Sequence, residues 1–106
     1  MKLKMVDIVN IYDGSKELLE KEIGIDLAFD LANLISTLRP KRESFATAVG
    51  KIKKDAYGKI DPEEFGKLLA KEIDADINPL KRDRITTEFE KIQPKLLIAL
   101  YPVLED

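Results

Sequence analysis

Apolar and polar residues alternate over two short stretches of the chain, residues 1–8 and residues 72–78. A period of two is typical of strands that bury one face. The polar residues are mainly lysines in the first stretch and aspartates in the second, and facing pairs of opposite charge contribute about 0.2–1 kcal/mol each. We therefore predict a small sheet that joins residues 2–5 to residues 72–78, in a direction that the pattern leaves open. The apolar positions of its inner face are Met1, Leu3, Met5, Ile73, Ala75 and Ile77.

The spacing of apolar residues becomes helical after Asp13-Gly14, a pair that predicts a break in the chain. Residues 6–12, before this pair, show a mixed spacing. Ser15 is suited to cap a helix that ends at Gly24. The apolar residues of this helix are Leu18, Leu19 and Ile23.

The clearest helical pattern begins at Asp26, its predicted N-cap, and forms one apolar stripe over three turns. Pro40 disfavours a helical backbone at the preceding Arg39. Helices over residues 26–38 and 40–57 therefore form either one long kinked element or a helical hairpin. The apolar residues of the first are Leu27, Leu31, Leu34, Ile35 and Leu38, and those of the second are Phe45, Val49, Ile52 and Ala56.

Residues 53–64 partly match a calcium-binding EF-hand loop. Gly58, Ile60 and Glu64 fit loop positions 6, 8 and 12. Position 1, however, is Lys53, whose ammonium group cannot coordinate a cation, and position 5 is Tyr57. We therefore predict no metal site at this loop.

A capped helix explains the same residues better. Asp61 is a good N-cap, Pro62 suits the first helical position, and Glu64 would complete a capping box. We predict that this helix continues through Phe65, Leu68 and Leu69 into the second strand.

The last third of the chain returns to helical spacing, with Asp83 as a predicted cap and Ile85, Phe89 and Ile92 on one face. Residues near Leu80 could add to the sheet, although the charged residues that follow do not alternate. A final helix starts at Pro94 and is the most apolar segment of the chain. We expect it to close the core, and the alternative is a surface that meets a partner. The residues of this partner surface would be Leu96, Leu97, Leu100 and Tyr101.

Composition limits the chemistry that the chain can perform. The sequence has 106 residues, enough for a single domain over residues 1–106, and it contains neither cysteine nor histidine. Thiol nucleophiles, histidine bases and the commonest ligands of transition metals are therefore excluded. We predict a protein that is not an enzyme, has no catalytic residues, and binds no cofactor and no metal. An enzyme built on carboxylates is the third alternative, and it would need two buried carboxylates that share a cleft. No apolar run approaches the ~18 residues of a membrane span, so an intracellular setting is expected.

Basic residues cluster at three places, residues 39–42, 51–54 and 81–84, and suggest a second kind of function. The residues that would contact a nucleic acid are Arg39, Lys41, Arg42, Lys81, Arg82 and Arg84. Such clusters can bind phosphates, but nucleic-acid-binding domains are usually basic overall and this chain has a net charge of −2. Solvated helix faces are the favoured interpretation, and a nucleic-acid-associated regulator is the alternative.

The layout of the chain resembles a known family. Its features are the start Met-Lys-Leu-Lys-Met-Val-Asp-Ile-Val-Asn, the helix entry Ile-Asp-Leu-Ala-Phe-Asp-Leu-Ala, the Tyr57-Gly58 turn, the Glu-Glu-Phe helix before an alternating Ile-Asp strand, and the apolar end with acidic Glu105-Asp106. This arrangement resembles a family of small uncharacterised proteins encoded by phages and prophages of Gram-positive bacteria. Gly24-Ile25 and Pro40 depart from the usual pattern of that group. The resemblance implies a phage accessory or assembly role, with no catalytic residues to carry over.

The expected fold is α+β and predominantly helical, with an all-α bundle as the alternative. The expected function is that of a non-enzymatic phage accessory protein that binds another protein, either as an assembly factor or as an inhibitor of a host protein. Its partner is not identified by the sequence, and self-association is a further expectation. The expected location is the host cytoplasm or the virion.

Overall fold

A computed structural model describes residues 1–52, 54, 57–86 and 92–105. The described chain is α+β and predominantly helical, as predicted. Its elements are, in chain order, β1 (Lys2–Lys4), α1 (Met5–Leu19), α2 (Ile25–Lys51), α3 (Pro62–Ala70), β2 (Glu72–Asp74), β3 (Leu80–Lys81), α4 (Arg82–Thr86), α5 (Pro94–Leu100), a 3₁₀ turn (Tyr101–Val103) and β4 (Leu104–Glu105).

The predicted pairing of the N-terminal strand with residues 72–78 is confirmed, and its direction is antiparallel. Both strands are shorter than predicted, at three residues each. The first ends because the Asp7 carboxylate accepts a hydrogen bond of 3.3 Å from the Lys4 N–H, which starts α1 at Met5. The pairs in register are Lys2 with Asp74, Leu3 with Ile73, and Lys4 with Glu72.

The predicted break at Asp13-Gly14 is wrong, because α1 runs through both residues without interruption. Ser15 is accordingly inside the helix and fully buried, so it is not an N-cap. A Cβ atom on Gly14 would lie 3.1 Å from the Ala99 Cβ of α5. The absence of a side chain at Gly14 therefore lets α1 and α5 pack closely together. The helix ends at Leu19 instead of Gly24.

Pro40 neither ends the second helix nor creates a hairpin. The 27-residue helix α2 continues from Ile25 to Lys51 with Pro40 inside it. The proline is exposed, so water can hydrate the carbonyl group that loses its N–H partner. The predicted helix over 40–57 is too long, because Ile52 is already extended. Lys53, Asp55 and Ala56 lie outside the described residues.

The N-cap of α2 also differs from the prediction. Gly24 occupies the capping position, and Asp26 lies in the first turn, where its negative charge favours the positive end of the helix dipole. The N-cap is shifted by two residues, which is within the usual uncertainty of a helix boundary.

The predicted start of the third helix is confirmed at its cap. The Asp61 carboxylate accepts a hydrogen bond of 3.0 Å from the Glu63 N–H, and Pro62 begins the helix. The donor of this bond is the N–H of the second helical residue. The predicted capping box would instead use the third helical residue, Glu64. The turn before the helix contains Gly58, whose φ of +78° suits a residue without a Cβ atom.

A second two-stranded sheet, which the sequence did not predict, joins β3 to β4 in parallel. Leu80 pairs with Leu104 and Lys81 pairs with Glu105. Leu80 thus belongs to a different sheet from β1, and two-residue strands are too short to show alternation. The predicted helix after Asp83 is short and starts at Arg82, while Phe89 lies outside the described residues.

The hydrophobic core is centred on α1, which contacts both α2 and α5. Gly14 faces α5, whereas Lys16, two positions later, lies with Leu19 beside α2. Two residues correspond to about 200° around a helix, so α2 and α5 pack on different sides of α1. The core thereby joins both ends of the described chain, from Leu3 to Val103.

Candidate functional site

Of the residues predicted to form a partner surface on the final helix, some are buried in the core and others are exposed to solvent. Leu96 and Leu100 are buried against α1, so they cannot form part of a binding surface on the folded chain. Leu97 is half-buried, and only Tyr101 of the four predicted residues is mostly exposed. The final helix therefore closes the core with one face, which was the preferred expectation.

The opposite face of α5 carries an exposed apolar surface. Ile98 is 73% exposed and Tyr101 is 69% exposed, and the half-buried Leu97 lies next to them in the chain. We call Leu97, Ile98 and Tyr101 the α5 surface. The sequence prediction missed Ile98, although its spacing of three residues from Tyr101 places both on one side of the chain.

A second exposed apolar surface lies on the first half of α2. Ile25 is 84% exposed and Phe29 is 67% exposed. Phe29 comes two positions after the buried Leu27, so it projects about 200° away from the core stripe. The i, i+4 and i+7 spacing of Ile25, Phe29 and Ala32 is an apolar period that could have revealed this surface from the sequence.

A groove of about 330 Å³ lies between α1 and α2, and Ala32 is one of the residues that line it. Its apolar lining comes from Leu19, Ala32 and Ile35, and Lys16 and Arg39 contribute the charged lining. We call Ile25, Ala28, Phe29, Ala32 and Ser36 the α2 surface. Because α2 and α5 pack on different sides of α1, the α2 surface and the α5 surface are separate.

A smaller cleft of about 110 Å³ lies between α2 and the segment that joins β2 to β3. Its polar lining comes from Asp30, Asn33, Thr37, Asp76 and Asn78. The volume is well below the ~300–1,000 Å³ of typical ligand pockets. Within the described ranges, no group of three or more acidic side chains is placed to hold a metal ion.

The EF-hand interpretation gains no support from the described part of the loop. Glu64 is exposed in the first turn of α3, and Gly58 is in the preceding turn. Lys53 and Asp55, which would supply the first half of such a loop, lie outside the described residues.

The six basic residues of the alternative prediction do not share one face. Arg39 and Lys41 are both exposed on α2, but they are two positions apart and diverge by about 200°. Arg42 forms an ion pair of 3.2 Å with Asp13 and lies 5.4 Å from the centre of the Phe45 ring.

The remaining basic residues lie at the junction of β3 and α4. Lys81 ends β3 and Arg82 begins α4, and both are exposed. The Arg84 side chain lies outside the described part of the chain. The arrangement therefore does not favour phosphate binding over solvated helix faces.

Comparisons with known proteins add no relative. No family model matches the sequence, and no curated protein or solved structure matches it significantly. The phage resemblance therefore stays a prediction. Within the described part of the chain, none of the helices combines the length and apolar character that crossing a membrane requires.

Proposed function

We propose that this chain is a non-enzymatic protein-binding module that meets its partner through the α5 surface. The observation that carries the proposal is the exposure of Ile98 and Tyr101 on a helix whose opposite face is anchored in the core. Single exposed apolar residues are common on proteins, whereas adjacent ones are more typical of interaction sites.

The α5 surface is rigidly placed, which favours binding. Leu96 and Leu100 fix the helix in the core, and Lys95 forms an ion pair of 3.2 Å with Glu17 of α1. A surface that is already ordered loses little conformational entropy when a partner binds. Tyr101 adds a ring and a hydroxyl group, and tyrosine is enriched among residues that dominate binding energy.

The partner implied by this chemistry is a protein with an apolar pocket that accepts an aliphatic side chain and a tyrosine ring. The role of phage accessory protein, as an assembly factor or an inhibitor of a host protein, rests on the layout resemblance alone. So does the location in the host cytoplasm or the virion. Both belong to the same proposal.

The experiment uses the purified tagged chain as bait in lysate from phage-infected Gram-positive cells, with bound proteins identified by mass spectrometry. Ile98→Asp is the test variant and Phe29→Asp is the matched control. Both replace an exposed apolar residue with aspartate, but on different sides of α1. We expect a protein that the wild type and Phe29→Asp retain and that Ile98→Asp loses at least tenfold. Equal recovery by all three baits, or no specific protein, would refute the proposal.

A further inference from the structure

The groove between α1 and α2 combines an apolar lining with positive charge. Leu19, Ala32 and Ile35 supply the apolar lining, and Lys16 of α1 and Arg39 of α2 supply the charge. None of the described residues that line the groove carries a carboxylate. Its chemistry therefore suits a ligand that joins an apolar part to an anionic part.

The two cations lie at the same level on opposite walls of the groove. Residues 20–24 join α1 to α2, and so short a connection makes the two helices antiparallel neighbours. The ion pair between Asp13 and Arg42 shows which residues lie side by side. Three residues from this pair along each helix are Lys16 and Arg39. Like charges on facing walls repel each other, and an anion placed between them removes that repulsion.

Neither cation is neutralised by an ion pair within the described part of the chain. The Lys16 ammonium group lies 5.5 Å from the centre of the Tyr12 ring, a contact that leaves its positive charge in place. The Asp13 carboxylate, one turn before Lys16, is already bound to Arg42 at 3.2 Å. Lys16 and Arg39 are both exposed, so their charges are accessible to a partner.

The α2 surface extends the apolar part of the groove. Ile25 comes seven residues before Ala32, and Arg39 comes seven residues after it. Seven residues are within about 20° of two full turns, so these three residues form one row about 21 Å long. Phe29 borders the row and is 67% exposed. The row therefore leads from large apolar side chains at the start of α2 to a positive charge near its middle.

We infer that this groove binds an amphipathic helix of another protein, with the apolar face of that helix on the α2 surface and its acidic residues beside Lys16 and Arg39. The row matches about four turns of a partner helix. The small side chains of Ala28 and Ala32 let such a helix approach closely. An extended peptide fits less well, because two helices offer no strand edge to its backbone N–H and C=O groups.

Two other occupants fit the same features less well. Attachment to an anionic membrane takes clusters of about 4–8 basic residues, whereas the described lining of the groove supplies Lys16 and Arg39. A second copy of the chain that met the groove with this same surface would bring further cations instead of carboxylates.

Fluorescence anisotropy of labelled model peptides, titrated with the full chain, tests the inference. Each peptide is alanine-rich, has about 18 residues and carries leucines at i, i+3, i+4 and i+7 on one face. The acidic peptide has two glutamates in the next turn, and the basic peptide has two lysines there. A third peptide keeps the glutamates but has serines in place of the leucines. We expect the acidic peptide to bind at least tenfold more tightly than the other two, and added salt to weaken its binding.

Charge reversal tests the two cations. Arg39→Glu should weaken binding of the acidic peptide at least tenfold and strengthen binding of the basic peptide, and Lys16→Glu should do the same. Lys41→Glu is the matched control, because Lys41 is exposed on α2 but projects about 200° away from Arg39. This control should leave both affinities nearly unchanged.

An apolar pair of variants tests the α2 surface. Phe29→Asp should weaken binding of the acidic peptide at least tenfold, whereas Ile98→Asp, on the α5 surface, should leave it unchanged. All the substituted side chains are exposed, so the variants should fold, which circular dichroism can verify.

Equal binding of the acidic and basic peptides would overturn the inference, as would equal effects of Arg39→Glu and Lys41→Glu. So would an acidic peptide that fails to bind at concentrations up to about 1 mM, which corresponds to a binding free energy of about −4 kcal/mol. Binding to phosphatidylglycerol vesicles that Phe29→Asp abolishes would assign the groove to lipid instead. A dimer that Phe29→Asp dissociates would assign it to a second copy. None of these outcomes bears on the partner of the α5 surface.

Discussion

The buried hydroxyl group of Ser15 supplies the sharpest prediction about stability. Ser15 lies inside α1, is fully buried, and its Oγ atom has no hydrogen-bond partner among the described residues. A buried polar group without a partner costs about 1–3 kcal/mol. Ser15→Ala removes this group without adding volume, so we expect the variant to be more stable than the wild type.

Two smaller effects modify this gain. Alanine is a better helix former than serine by about 0.5 kcal/mol. The lost oxygen leaves a void of roughly 10–15 Å³, which costs about 0.3 kcal/mol at ~24 cal/mol per Å³. The net stabilisation is therefore about 1–3 kcal/mol. At ~4–8 °C per kcal/mol for a domain near this size, Tm should rise by at least about 4 °C.

Urea denaturation followed by circular dichroism at the helix signal measures this change, and the slope m should stay constant. Ser44→Ala is the matched control. Ser44 is exposed on α2 and its hydroxyl donates a hydrogen bond of 2.9 Å to the Pro40 carbonyl, so we expect a change within about 0.5 kcal/mol of zero. If Ser15→Ala is instead destabilised, the hydroxyl is hydrogen-bonded in solution and the reasoning fails.

Three further changes test other parts of the fold by the same measurement. Pro40→Ala should stabilise the chain by about 1–3 kcal/mol, because proline inside a helix costs about 3 kcal/mol relative to alanine; an unchanged midpoint would mean that α2 is already broken there. Gly66→Ala, in open space inside α3, should raise the free energy of unfolding by about 0.5–1 kcal/mol, whereas Gly58→Ala should lower it by about 1 kcal/mol because the φ of Gly58 is +78°. Equal changes in stability for the two variants would contradict the positive φ at Gly58. Leu100→Ala should lower the free energy of unfolding by about 2–5 kcal/mol, and Ile98→Ala should leave it almost unchanged. The reverse order would mean that α5 is rotated.

Some parts of the fold were predictable because their causes are local. Asp61 and Pro62 define a helix start through bonds and angles within a few residues. The strands β1 and β2 were predictable as partners because their outer residues carry opposite charges in register. The break at Asp13-Gly14 was predicted wrongly for the opposite reason. A glycine inside a helix costs only about 1 kcal/mol, and the close packing of α1 against α5 outweighs that cost.

The candidate sites were predictable only in part. The apolar character of residues 96–101 identified the segment, but it could not show that Leu96 and Leu100 turn inward while Ile98 and Tyr101 turn outward. An apolar helix has no polar face that would indicate its orientation. The α2 surface was missed because a long inner stripe hid the second apolar period on the opposite face.

The sequence by itself determined the helical character of the chain, its N-terminal strand pairing and the chemistry that it lacks, because propensity, charge and composition act over short distances. Only the tertiary structure decided that α1 is a central helix, that α2 continues without interruption past Pro40, and that β3 pairs with β4. Each depends on contacts between segments far apart in the chain, and burying apolar surface there outweighs local preferences of about 1 kcal/mol. The same long-range packing determines which apolar residues are left exposed.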